Sequence, residues 1–254
     1  ACLRQYGFAF DKPVIGTGSD LVPRVPPRAN DGFVTEEQAR THGFHPVREG
    51  GARQEETAEL PSEGPVVDVL HGWGRADGAT SGTQAPRRSH RGRPIPEHGC
   101  LGEAEKTLSK GAWRPVPGTS PGGARDTVNY VVRLRKQAAE QARRDRRVKD
   151  VTAKWAACYA KKTGDSAESP AALAQQPRWR STGKPSEAEI SAAVASSQCQ
   201  LQVGYPKVVD SVTAAYEELI AEANRPTLSN VATFFRARTK NATAIVRGGS
   251  AAAR

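Results

Sequence analysis

The longest helical pattern in this chain runs over residues 126–162, DTVNYVVRLRKQAAEQARRDRRVKDVTAKWAACYAKK. Its apolar residues recur three or four positions apart, the spacing that places them on one face of a helix. Asp126 is a suitable N-cap residue, and Gly164 suits the left-handed residue that follows a last helical turn. The pattern predicts one long helix that ends at Tyr159 or Lys162. Its predicted apolar face comprises Val128, Val131, Val132, Ala138, Ala139, Val148, Val151, Trp155 and Cys158.

The four cysteines form two pairs with similar local sequences. Cys2 and Cys158 each follow an alanine, stand among cations and lead to a glycine, whereas Cys100 and Cys199 stand in helical patterns. We therefore predict two disulfides, Cys2 with Cys100 and Cys158 with Cys199. An even number of well-spaced cysteines without a CxxC pair is typical of proteins in an oxidising compartment, so we expect the protein to be exported.

The start of the chain agrees with export in this interpretation. The sequence begins at Ala1 and contains no Met, as a mature form does after its export signal has been removed. A lipid anchor on a residue before Ala1 stays an open alternative. No apolar run approaches the roughly 20 residues that a transmembrane helix needs, so we expect no membrane span.

Composition divides the chain into two halves. The 24 glycines and 18 prolines are concentrated in the first 125 residues, whereas the second half is rich in alanine. Residues 112–125 have the proline and glycine content of a linker. We predict a mainly α protein with a loop-rich lobe of short helices over 1–111, a bundle of long helices over 126–247 and a frayed tail over 248–254. Each lobe contains one disulfide, which offsets the small apolar core that 6% aromatic residues allow.

Two capping boxes mark further helix starts. The segment Thr35-Glu36-Glu37-Gln38 predicts a short helix over 35–42 that ends at Gly43. The segment Ser186-Glu187-Ala188-Glu189 predicts the start of the helix that carries Cys199. Residues 74–96 contain almost no apolar side chains, which is typical of a solvated loop.

Positive charge is the main functional signal in the sequence. The formal net charge is +10, and between residues 133 and 149 eight cations stand against two acids. Such a helix face, and an arginine-rich loop at 87–93, would attract an anionic wall polymer or an acidic partner protein. A solvated charged face without a partner is the alternative interpretation. The predicted contact residues are Arg133, Arg135, Lys136, Arg143, Arg144, Arg146, Arg147, Arg87, Arg88, Arg91 and Arg93.

Aromatic residues add two surface candidates. Trp113 and Trp179 lie among prolines and arginines, where an exposed indole would serve as an anchor for a sugar or a peptide. Trp155 stands three residues before Cys158 and is predicted to pack against the disulfide. No aromatic residue stands between Tyr130 and Trp155 to stack on bases, so we predict no specific nucleic-acid partner.

Signatures of catalysis are missing from the sequence. It contains no G-x-S-x-G elbow, H-E-x-x-H pair, Walker loop or Rossmann glycine pattern, and bonded cysteines leave no thiol nucleophile. The remaining candidate is a dispersed hydrolase site that a transition metal could complete, formed by His42, His45, Asp68 and His71. We assign no catalytic residue, no metal and no cofactor, and we keep a secreted hydrolase as an alternative function.

Three short motifs, each near a cysteine, provide the basis for a resemblance to a protein family. They are residues 2–10, the glycine-cysteine entry to a helix at 92–104, and Trp155-Ala156-Ala157-Cys158. In these motifs the chain resembles a family of uncharacterised exported envelope proteins of actinobacteria. Members of that family usually have methionine after the first and third cysteines, where this chain has Leu3 and Tyr159. The resemblance implies a location outside the cytoplasmic membrane and no particular activity.

Together these patterns predict a secreted, basic protein that acts by binding or as a structural component. We expect it at the cell envelope or in the extracellular space, with its basic surface in contact with an anionic polymer or a partner protein. A subunit of an extracellular protein assembly is a further alternative.

Overall fold

The computed structural model describes residues 2–10, 33–45, 63–73, 87–112, 116, 123–179 and 183–252. Over these residues the chain forms ten α-helices and one two-stranded hairpin, β1 (Ser89–His90) with β2 (Arg93–Pro94). The helices are α1 (Cys2–Gln5), α2 (Glu36–His42), α3 (Pro65–His71), α4 (Gly99–Leu108), α5 (Ala124–Arg144), α6 (Arg146–Thr163), α7 (Pro170–Ala174), α8 (Glu187–Gln202), α9 (Tyr205–Ala223) and α10 (Arg225–Ala252). The predicted mainly α fold is confirmed.

The predicted single helix over 126–162 is interrupted at one residue, and in this respect the prediction is wrong. Asp145 separates α5 from α6 with an extended backbone (φ −64°, ψ 139°), and its carboxylate accepts a hydrogen bond from the backbone N–H of Arg147 at 2.8 Å. An aspartate placed in this way satisfies a free backbone donor and begins a new helix. The end of α6 is confirmed, since Gly164 follows it in the left-handed region (φ 73°).

One compact unit is built around α8, and we call it the α8 unit. It comprises α2, the part of α5 from residue 131 onward, and α6 to α9. The helices α2, α6, α7 and α9 all pack on α8. Several sides of α8 are therefore buried, and Ala193, Ser196 and Cys199 have 0% exposure. Trp155 is also fully buried, in the same cluster as Cys199, as the sequence predicts.

The other compact unit comprises α1, α3, the hairpin, α4, the start of α5 and α10, and we call it the α4 unit. Its small apolar cluster consists of Tyr6, Val69, Ile95 and Cys100. The Tyr6 hydroxyl donates a hydrogen bond to the Pro94 carbonyl at 2.7 Å, which attaches α1 to the hairpin. Gly72 (φ 79°) marks a close approach of two chain segments, because a Cβ there would lie 2.1 Å from the Glu97 carbonyl oxygen. A side chain at this position would separate α3 from α4.

Neither unit is a continuous stretch of sequence, in contrast to the predicted lobes. The early helix α2 belongs to the α8 unit, where the buried Glu189 carboxylate accepts a hydrogen bond from the Phe44 backbone N–H at 2.7 Å. The last helix α10 belongs to the α4 unit, where buried Arg238 donates to Glu105 of α4 at 2.9 Å. These pairings join residues more than 130 positions apart, which the local sequence does not encode.

Both predicted disulfides are present, one in each unit. Cys2 is bonded to Cys100 and Cys158 to Cys199, with 5.7 Å between the Cα atoms of each pair. The sequence separations are 98 and 41. In the loop-entropy model, these closures stabilise the folded chain by about 4.7 and 4 kcal/mol respectively.

Parts of three segments that the sequence predicts as irregular are regular or buried in the structure. Residues 89–94 of the predicted loop form the hairpin, with Arg91 and Gly92 at positive φ in its turn (48° and 73°). In the predicted linker, Val116 is buried, whereas residues 113–115 and 117–122 lie outside the described residues. Helix α10 continues to Ala252, into the predicted frayed tail. None of the described helices is long and apolar enough to cross a membrane.

Candidate functional site

The predicted basic helix face lies on α5 and α6 in the α8 unit. Between residues 133 and 163, ten cations are exposed, together with the two carboxylates of Glu140 and Asp150. We call these ten cations the basic surface: Arg133, Lys136, Arg143, Arg144, Arg146, Arg147, Lys149, Lys154, Lys161 and Lys162. Six of the seven predicted helix cations belong to it. The seventh, Arg135, is half-buried, with its Nε 3.2 Å from a Glu217 oxygen.

Arg147 has a structural role within this surface. Its guanidinium donates two hydrogen bonds to the Asp145 carboxylate, at 3.0 and 2.9 Å, and the Tyr216 hydroxyl donates a third at 3.2 Å. The hydrogen bond from Arg147 holds the pKa of Asp145 well below its usual range. Because Arg147 holds the N-cap residue of α6 in place, it is a weaker candidate for contact with a partner than its neighbours. Arg146 is more open, with 92% exposure and a distance of 3.7 Å to Asp150.

The arginine-rich segment lies in the α4 unit, and two of its cations contact their own unit. The Arg88 guanidinium lies over the ring of Trp73, 4.6 Å from its centroid. The Arg91 guanidinium lies against Gly7, where a Cβ would approach it to 2.0 Å. The four arginines of this segment are nevertheless all exposed: Arg87, Arg88, Arg91 and Arg93. They form a second candidate surface, independent of the first.

Trp179 is predicted from the sequence to be a surface residue, and this prediction is wrong, because its exposure is only 7%. Its indole N–H donates to the Leu173 carbonyl at 2.7 Å, which removes the cost of burying that polar group. The ring faces Phe44 at 5.9 Å, and the Arg178 guanidinium covers it at 4.2 Å. The other candidate, Trp113, lies outside the described residues.

The residues of the hydrolase alternative are divided between the two units. His42 and His45 belong to the α8 unit, whereas Asp68 and His71 belong to the α4 unit. In the described part of the chain, no group of three or more His, Cys, Asp or Glu side chains could hold a metal ion. No described cluster therefore supports a metal-dependent form of this alternative.

Glu189 is a buried acid that the sequence predicts only as part of a capping box. The Ser186 hydroxyl accepts from its backbone N–H at 3.2 Å, as predicted. Its carboxylate has 1% exposure, and Oε1 lies 2.7 Å from the Phe44 backbone nitrogen and 2.8 Å from His45 Nδ1. Gly43 allows this approach, because a Cβ there would lie 2.6 Å from Oε1. Glu189 thus holds the end of α2 on α8.

A groove of about 910 Å³ lies within the α8 unit, between α6 and α8. Tyr159 of α6, Trp179 and the α8 residues Val194 and Ala195 contribute apolar surface to it. Tyr159 and Gln198, which line opposite walls, each adjoin one cysteine of the Cys158–Cys199 disulfide. The disulfide therefore joins the two walls covalently. Burial raises the pKa of Tyr159, which keeps its hydroxyl protonated.

Charged side chains surround this groove. Arg178 donates to Asp165 at 2.7 Å and lowers the pKa of that carboxyl. On the other side, Lys162 contacts the side-chain oxygen of Gln198, and the Gln198 amide donates to Glu36 at 2.8 Å. Glu36 also pairs with a lining cation, Arg40. The hydrogen bonds from Gln198 and Arg40 lower the pKa of Glu36.

The groove was not predicted from the sequence. Lys162 stands one helical turn after Cys158, and Gln198 directly precedes Cys199. The predicted pairing of these two cysteines was therefore a signal that the two side chains meet. For Arg40 and Arg178 the local sequence contains no comparable signal.

Comparison with known proteins assigns this chain to no family. No protein-family model matches it, and neither the curated proteins nor the solved structures provide a match. The resemblance to exported envelope proteins therefore stays a prediction. Functional inference depends on the residues of this chain.

Proposed function

We propose that this chain is an exported, non-catalytic binding protein whose basic surface contacts an anionic polymer of the cell envelope. The observation that carries the proposal is the excess of exposed cations on α5 and α6, where ten stand against two exposed carboxylates. Repeated cations on consecutive helices suit a ligand with repeated negative charges. Phosphate polymers bind such surfaces by releasing condensed counterions, so the affinity falls as salt rises.

Two covalent features support an extracellular location. Both units contain a disulfide, and the contribution of each bond is a substantial fraction of the ~5 to 15 kcal/mol stability of a typical protein. Disulfides persist in oxidising compartments and are rare in the reducing cytosol. The resemblance to exported envelope proteins points in the same direction. A partner protein with an acidic surface and membership of an extracellular assembly stay alternatives for the same cations.

The proposal is tested by removing charge from the basic surface without disturbing α6. We choose the variant Arg144→Gln, Arg146→Gln, Lys149→Gln, Lys154→Gln, since all four side chains are exposed and Arg147 stays in place to pair with Asp145. Binding to inorganic polyphosphate and retention on isolated bacterial cell wall are measured from 50 to 300 mM salt. We expect weaker binding of both and a shallower salt dependence, by up to roughly three units of log–log slope for four lost contacts.

A charge-matched control comes from the α4 unit. The variant Arg87→Gln, Arg88→Gln, Arg91→Gln, Arg93→Gln removes the same net charge from the second candidate surface. Unchanged binding in this control assigns the contact to α5 and α6. Equal weakening in both variants would mean that only net charge matters, and unchanged binding in the first variant would remove the basic surface from the proposal.

A further inference from the structure

The groove between α6 and α8 has a property that the basic surface lacks, because apolar side chains line it beside its charges. Ile190, Ala192 and Val194 are partly exposed apolar residues that line the groove, and beneath them lie Tyr159 and Trp179, with 1% and 7% exposure. A volume of about 910 Å³ falls within the range of roughly 300 to 1,000 Å³ that is common for small-molecule sites. The Cys158–Cys199 bond holds the walls in place.

The charges around the groove do not cancel. Arg178 pairs with Asp165, and Arg40 pairs with Glu36. The third cation, Lys162, contacts the neutral amide oxygen of Gln198. Among the described residues that line the groove or pair with its charged side chains, three cations therefore stand against two carboxylates, and the lowered pKa values of both acids keep them ionised at neutral pH.

We propose that this groove binds a small amphipathic anion, a molecule with a single carboxylate or phosphate head and an apolar body. The head lies at Lys162, where a cation and the Gln198 side chain are adjacent, and the body lies along Ile190 and Val194, which are partly exposed. A hydrogen bond between a charged donor and a charged acceptor is about twice as strong as a neutral one. Burial of the apolar body adds the hydrophobic contribution.

This ligand class fits the groove better than the polymer proposed for the basic surface. A single excess cation suits one negative group, whereas a polyanion would place further charges against Asp165 and Glu36. A phosphate polymer would also leave the apolar walls of the groove unfilled. The proposal goes beyond the function assigned to the basic surface and does not depend on it.

The test uses the whole oxidised protein and three probes. Decanoate has both head and body, decanol has the body without the charge, and acetate has the head without the body. Isothermal titration calorimetry and tryptophan fluorescence should give saturable one-to-one binding of decanoate, at least about tenfold tighter than decanol and acetate. Equal affinity for decanoate and decanol, or no saturable binding of decanoate, would overturn the proposal.

Two variants with matched controls locate the site. Lys162→Gln should weaken decanoate binding about tenfold or more, whereas Lys161→Gln, the same change at the neighbouring exposed residue, should leave it unchanged. Ser191→Trp places an indole in the groove and should abolish binding, whereas Leu201→Trp, on the same helix but not lining the groove, should not.

The remaining outcomes are also decisive. Equal losses in Lys162→Gln and Lys161→Gln would mean that binding follows net charge, and retention of binding by Ser191→Trp would place the ligand elsewhere. Because Lys162 belongs to both the basic surface and the groove, competition is measured in the variant with glutamine at 144, 146, 149 and 154. Displacement of decanoate by polyphosphate in that variant would assign the groove to the polymer and overturn the small-anion proposal. Unchanged circular dichroism and thermal unfolding establish that each variant is folded.

Discussion

Replacement of Glu189 by alanine should separate the end of α2 from α8 and destabilise the α8 unit. The carboxylate has 1% exposure, and its Oε1 accepts from the Phe44 backbone N–H at 2.7 Å and lies 2.8 Å from His45 Nδ1. A hydrogen bond to a charged group contributes about 1.5 to 3 kcal/mol, and a buried donor left without a partner costs a similar amount. We therefore expect the free energy of unfolding to fall by about 3 kcal/mol. In a domain of 150 to 250 residues, that corresponds to roughly 6 to 12 °C in Tm.

The measurement is urea unfolding of the wild type and three variants at pH 7, with Trp fluorescence as the signal. Glu189→Gln keeps an acceptor for Phe44 N–H but places its NH2 group at the buried position where Oε2 has no partner, so we expect a loss of about 2 kcal/mol. Glu187→Ala is the matched control, because Glu187 is an exposed acid in the first turn of the same helix. Its loss removes a helix-dipole interaction of about 0.3 to 1 kcal/mol.

The predicted order of stability, from highest to lowest, is wild type, Glu187→Ala, Glu189→Gln and Glu189→Ala. A fall of less than 1 kcal/mol in Glu189→Ala would mean that the buried carboxylate does not hold residues 43–45 on α8. A large loss in Glu187→Ala would mean that the helix terminus, rather than the contact with Phe44, is sensitive to charge.

Further predictions concern the start of α6 and the disulfides. Asp145→Asn keeps a capping side chain and removes the charge opposite Arg147, so the wild type should be the more stable protein at pH 7. The folded-state pKa of Asp145 is depressed, so this advantage should be full above its unfolded pKa of roughly 3.9 and should shrink as pH falls below that value. Urea unfolding from pH 7 to pH 2 measures it. A stability difference that stays constant over this range would contradict the ion pair. Replacement of Cys158 and Cys199 together by serine should lower the free energy of unfolding by about 4 kcal/mol, and replacement of Cys2 and Cys100 by about 4.7 kcal/mol. A loss below 1 kcal/mol in either double variant would argue against the loop-entropy contribution.

Local patterns in the sequence predicted the elements that depend on local chemistry. The box at Thr35 and Gln38 is present in both directions, at 3.2 and 3.1 Å, and α2 ends at Gly43. The pairing of the four cysteines was also predicted correctly. The break at Asp145 could have been predicted as well, because a lone aspartate inside a run of arginines is a strong N-cap candidate. Uninterrupted apolar spacing on both sides of it favoured one helix instead.

Contacts between distant residues could not be predicted from local patterns. Glu189 satisfies the capping pattern through its backbone, yet its carboxylate pairs with residues about 145 positions away. Arg238 has an ordinary polar neighbourhood in the sequence, but it is buried and donates to Glu105 of α4. Because of these two pairings, α2 belongs to the α8 unit and α10 to the α4 unit. Composition alone predicted the opposite assignment, with α2 in the N-terminal lobe and α10 in the C-terminal lobe. Trp179 is buried for a similar reason, since Leu173 and Phe44 provide its partners.

The most direct test of the proposed function is the salt dependence of polyphosphate binding by the wild type and by the variant with glutamine at 144, 146, 149 and 154. Fluorescence titrations between 50 and 300 mM NaCl give the slope of log Kd against log salt for each protein. We expect a steep slope for the wild type and a shallower one for the variant, by up to roughly three units. Identical slopes and affinities in the two proteins would contradict the claim that α5 and α6 carry the binding surface.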